Sequence, residues 1–135
     1  MLAKPIYPIV FMKTTNLEKT NEFYNKILKL PQALNQGGCI IYKVGKYGYW
    51  GFCETKEENM IQDADKICLT LVVENKEEVD EWHNYLVKND INIIRTPEYT
   101  KKYKIYNGFY RDSMGYTLEI QSFDDDGKPV GHDEF

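Results

Sequence analysis

The chain has 135 residues and a mass of 15.9 kDa, with 17 basic against 21 acidic residues, a formal charge of −4 and a pI of about 5.2. That length fits one domain of roughly 100–200 residues, which can bury a core without a disulfide staple. The acidic balance argues against nucleic acid or an anionic membrane as partner, and an apolar content of 42% argues against a disordered chain.

Residues 7–14 read as a strand. Pro5, Pro8 and Lys13 interrupt the apolar run, and no small-residue cleavage site follows, so it does not read as a signal peptide. No segment approaches the roughly 20 apolar residues that a membrane span needs. From Asn16, apolar residues Leu17, Thr20, Phe23, Tyr24, Ile27 and Leu28 recur at helical spacing, with Thr15-Asn16 as cap and Pro31 as stop. Short strands are expected over 33–35, 39–44 and 47–54, with Gly45-Lys46 as the hairpin turn. Residues 55–65 are polar and read as a linker.

The pattern then repeats. Residues 67–73 read as a strand, and NKEEVDEWHNYLVK from Asn75 matches NLEKTNEFYNKILK from Asn16 at an offset of 75 − 16 = 59. Asn16, Glu18, Glu22, Asn25 and Lys29 fall on Asn75, Glu77, Glu81, Asn84 and Lys88. Asn89-Asp90 ends this helix, and strands are expected over 91–96, 103–111 and 116–123. Asp112-Ser113-Met114-Gly115 suits a type I turn. Residues 124–135 read as a polar tail. The predicted class is α+β: a single domain, 1–135, of two tandem βαβββ modules over about 7–54 and 66–123.

Cys39, Cys53 and Cys68 make an odd count with no close spacing, which predicts free thiols and a reducing, cytoplasmic location. Lys101-Lys102-Tyr103-Lys104 reads as a solvated hairpin end in so acidic a chain. His83 reads as a packed or half-exposed helix residue, and His132 as part of a solvated tail.

This duplication resembles the vicinal-oxygen-chelate superfamily, which includes glyoxalase I, bleomycin-resistance proteins and extradiol dioxygenases. The most specific piece is FYRDSMGYTLEIQSF from Phe109: an aromatic strand end, an Asp-centred turn, a Gly and then Leu118-Glu119-Ile120. Ser113 and Met114 depart from the Pro and Asp common there. The resemblance implies curved sheets forming a cup, a small-molecule ligand inside it, and commonly a homodimer. By strand alternation, Thr117, Glu119 and Gln121 would line the cup, with Ile9, Phe11 and Lys13 from the first strand and Cys68, Thr70 and Val72 from its repeat partner. Trp50, Phe52 and Glu54 join them if Gly48-Tyr49 is aligned with Gly115-Tyr116. In the alternative, these rings pack sheet against helix or subunit against subunit.

Metal-using members hold a divalent ion with three or four ligands from different strands. Here those positions are Ile9, Cys68, Glu119 and either Phe52 or, with a one-residue slip, Gly51. Only Glu119 and Cys68 could ligate, so no cofactor is expected. The resemblance then implies a protein that binds a small organic molecule in an aromatic-lined cup. The alternative is a metal-dependent lyase, isomerase or dioxygenase with Glu119 as catalytic residue. Glu119 could instead be a plain ion-pair partner of Lys13 or Arg111.

Overall fold

The structure, a computed structural model, describes residues 4–56, 67–127 and 129. Most of the expected linker, and the end of the tail with His132, lie outside the described residues. The chain forms two compact units, Met1–Ala64 and Asp65–Phe135.

The first unit contains β1 (Val10–Thr14), α1 (Leu17–Asn21), β2 (Gln32–Asn35), β3 (Cys39–Val44) and β4 (Gly48–Glu54). The second contains β5 (Cys68–Val72), α2 (Lys76–Lys88), β6 (Asn92–Thr100), β7 (Ile105–Arg111) and β8 (Thr117–Phe123). The sheet orders are β1-β4-β3-β2 and β5-β8-β7-β6, with one parallel pair in each. Each unit is therefore βαβββ, as the repeat predicts.

Both helices start on the same device. The Asn16 side chain accepts from the Lys19 amide at 3.0 Å, and that of Asn75 from the Glu78 amide at 2.9 Å. The first helix differs from expectation beyond Asn21, where Glu22–Ile27 form a π-helical turn. Leu28 N–H there donates to the carbonyl of Phe23, five residues back. Phe23 and Tyr24 are both buried from this turn.

Each helix covers one face of its own sheet. In the first unit Tyr24, Tyr42 and Phe52 are fully buried, and the Tyr24 and Phe52 rings lie 4.4 Å apart. In the second, Leu118, Ile120 and Tyr110 of the sheet are buried with Val79 and Leu86 of α2. Tyr42 and Tyr110 are structural equivalents, and each sends its hydroxyl to its own helix. Tyr42 donates to Asn21 Oδ1 at 2.8 Å, and Tyr110 shares a hydrogen bond with His83 Nδ1 at 2.9 Å. His83 thus packs on the sheet, as its half-exposed reading allows.

Burial pushes the pKa of both Tyr42 and Tyr110 up to about 12. An acid whose folded pKa lies above its unfolded value of about 10 supports folding below that value. Its contribution is lost as pH rises through the folded value. Stability should therefore fall between about pH 10 and 12, with the fall less steep in Tyr110→Phe, read by circular dichroism against phenolate absorbance.

The cysteines correct the sequence reading. Cys39 and Cys53 are opposed residues of β3 and β4, with Cα atoms 4.1 Å apart, and form a disulfide. Only Cys68 is a free thiol among the described residues. The expectation of free thiols thus fails for two of three, and with it the argument for a reducing compartment, since such cross-links persist where conditions are oxidising. The bridge spans 14 residues of sequence, so Cys53→Ser or reduction should cost about 2–3 kcal/mol in denaturant melts. Thiol titration of the unreduced, denatured chain should find one reactive group rather than three.

Candidate functional site

The site is built on the sheet face of the second unit that α2 leaves uncovered. The parallel β5–β8 register sets Thr70 beside Glu119, and the β7–β8 hairpin sets Phe109 beside Glu119 and Asn107 beside Gln121. That hairpin is fixed by its turn. Asp112 Oδ1 accepts from the Met114 and Tyr116 amides at 2.9 and 2.8 Å, and Gly115 takes φ 92°, which only glycine adopts without strain. The Asp-centred motif is thus a register device for the strand that carries Glu119.

Glu119 is only 7% exposed and makes an enclosed set of contacts. Its Oε1 accepts from the Thr70 hydroxyl at 2.7 Å, with the Cys68 thiol at 3.7 Å, and its Oε2 from Asn107 Nδ2 at 2.8 Å. All three donors are neutral. Arg111, a partner suggested by the sequence, donates instead to the Gly115 carbonyl at 2.8 Å.

Asn107 is the hub of this network. Its Oδ1 accepts from Arg95 Nη2 at 2.7 Å and from the Thr100 hydroxyl at 3.0 Å. The Arg95 guanidinium also reaches the Thr96 carbonyl at 3.1 Å and Glu98 at 3.3 Å, and lies 5.0 Å from the centre of the Phe109 ring. Beside the network opens a cleft of about 610 Å³, lined by Arg95, Glu98, Asn107, Glu119 and Gln121, with Tyr103, Ile105, Phe109 and Phe123 as apolar wall. Its size and mixed lining suit a small organic molecule.

Gln121 is 8% exposed, and its Oε1 has no hydrogen-bond partner among the described residues. A buried acceptor left unpaired costs stability. Gln121→Leu should therefore match or exceed the native chain in stability, by up to about 1 kcal/mol in urea melts.

The sequence-predicted site residues divide into three groups. Cys68, Thr70, Glu119 and Gln121 come together on this face, as alternation predicts. Phe11 and Lys13 lie on the helix-free face of the first sheet, and the exposed Phe11 ring crosses Gly51. Trp50, Phe52 and Glu54 are a correction. They face α1: the Trp50 and Phe52 rings pack on Tyr24, and Glu54 Oε2 accepts the Leu17 amide at 3.0 Å. The reading that packs these rings between sheet and helix is the one realised. Sequence reasoning missed Arg95, Glu98, Thr100 and Asn107. Asn107 was within reach, since the β7–β8 register follows from the turn.

The metal positions can now be tested. The ladders pair Phe11 with Gly51 and Thr70 with Glu119, so Gly51, not Phe52, is the counterpart of Glu119. Gly51 and Ile9 carry no ligating atom. Partial burial raises the Cys68 pKa; the Thr70 hydroxyl opposes this and the Glu119 carboxylate adds to it, which makes the sulfur a weaker nucleophile near neutral pH. No group of three or more His, Cys, Asp or Glu able to hold a metal occurs among the described residues. The Glu119 oxygens face N–H, O–H and S–H donors. No helix among the described residues is long and apolar enough to cross a membrane.

No protein-family model matches the chain, and no curated protein matches it. Solved structures do. An integron cassette protein from the mobile metagenome of the Halifax Harbour sewage outfall superposes with TM-score 0.73 at 24% identity, covering 90% of this chain and 100% of its own. A glyoxalase-related enzyme from Fulvimarina pelagi gives TM-score 0.73 at 16% identity, covering 97% and 95%. A glyoxalase/bleomycin resistance protein/dioxygenase from Nocardioides gives 0.71 at 15%, covering 97% and 91%. With two βαβββ units in tandem and likeness along nearly its whole length, the chain has the glyoxalase/bleomycin-resistance/dioxygenase fold.

Proposed function

We propose that the protein binds a small organic molecule in the cleft beside Glu119, as a bleomycin-resistance-like member of this group, without the superfamily's metal. The carrying observation is the Glu119 carboxylate itself. It is buried, held by three neutral donors and set beside a cleft walled by Phe109, Phe123, Tyr103 and Ile105. Its counterpart in the first unit is Gly51, so the polar anchor exists in one half only. A carboxylate so placed orients a ligand and needs no ion to be satisfied.

The test is a ligand screen on the full chain, followed by thermal shift and calorimetry. The reading expects saturable binding of one molecule per chain, weakened in Glu119→Gln, with no added metal required. Binding that appears only after Mn, Fe, Ni or Zn is supplied would favour a metal-dependent lyase, isomerase or dioxygenase instead.

A further inference from the structure

We infer that the ligand of this cleft is an organic cation with N–H donors, an ammonium on an aromatic or otherwise apolar body. This rests on the small-molecule reading above and adds the chemical class. The cleft offers acceptors. Among the described residues only neutral groups contact the Glu119 carboxylate, which has about four lone-pair positions, of which the Thr70 and Asn107 bonds take two. Gln121 Oε1 is an acceptor with no partner among the described residues, two positions along the same strand and on the same face. Residues so related lie about 7 Å apart along the strand, and both line the cleft.

The cation lining the cleft is already engaged. Arg95 gives its N–H groups to Thr96, Glu98 and Asn107 and lays its plane near Phe109. With Arg95 balanced by Glu98, the charge of Glu119 is left for the ligand. An anionic ligand would meet the Glu119 carboxylate and the Gln121 oxygen. A neutral apolar one would strip water from the remaining Glu119 lone pairs and offer them no donor. An ammonium supplies that donor, and the Phe109, Phe123 and Tyr103 rings can hold its body or face its charge.

The experiment compares 2-phenylethylamine, 2-phenylethanol and 3-phenylpropionate on the full chain at neutral pH, by calorimetry and by NMR of side-chain amides. The amine should bind at least about tenfold more tightly than the other two, the worth of one charged hydrogen bond. It should also shift the Gln121 and Asn107 amide signals. Glu119→Gln and Gln121→Leu should each remove most of that preference. The second variant breaks no hydrogen bond of the fold, so it remains informative if the first is unstable. Tightest binding of the acid or the alcohol overturns the cationic class and leaves the cleft as the ligand site. Amine binding that leaves both amide signals unmoved overturns the class and its anchor. No binding of any of the three at millimolar concentration counts against the small-molecule reading itself, and the inference falls with it.

Discussion

Phe52→Ala should destabilise the first unit by about 3–5 kcal/mol, a loss read as a large drop in the urea midpoint. Phe52 is fully buried, with its ring 4.4 Å from Tyr24 and 6.2 Å from Tyr42, and its neighbours on the same face, Met12 and Ile40, are buried with it. Truncation leaves a hole that these rigid rings can only partly fill. Had Phe52 faced a ligand, the same change would leave stability near the native value and abolish binding. The structure expects the reverse: a large stability loss, with ligand affinity per folded molecule little changed.

Asn107→Ala should cost about 3–4 kcal/mol, because two hydrogen bonds to charged groups are lost at one residue. Asn107 is 3% exposed, donates to Glu119 and accepts from Arg95 and Thr100. Without it, Glu119 loses the donor on Oε2, and Arg95 loses the acceptor that holds it over the cleft. Denaturant melts of native and variant chains check this, and a penalty below about 1 kcal/mol would mean that the Asn107 bonds contribute little.

The repeat was legible because two amphipathic helices keep the same spacing of apolar and acidic residues. The faces of the last strands were less so. Strand β1 and its helix follow the offset of 59, but β3 and β4 match β7 and β8 at 110 − 42 = 68, with Tyr42 on Tyr110 and Gly51 on Glu119. Most of the difference lies in β6, which runs for nine residues where β2 has four. Aligning Gly48 with Gly115 gives 67, and a slip of one residue turns every side chain to the other face. The two glycines do different jobs. Gly115 supplies a positive φ in its turn, while Gly48 is an extended residue paired with Val44.

The disulfide was hidden by the same kind of slip. A two-residue Gly45-Lys46 turn would set Cys39 opposite Phe52. The actual turn includes Tyr47, so that Val44 pairs with Gly48 and Cys39 with Cys53. Arg95 was beyond alternation altogether, because β6 shifts register on both sides of it. By contrast, Cys68, Thr70, Glu119 and Gln121 were placed correctly, since β5 and β8 are regular and their ladder is unbroken.

The central claim is that Glu119 serves an organic ligand rather than a metal ion. Elemental analysis of the full chain, equilibrated with Mn, Fe, Ni and Zn and then freed of excess metal, tests it most directly. The account predicts far less than one ion per chain, unchanged in Glu119→Gln. One ion per chain, lost in that variant, would contradict it.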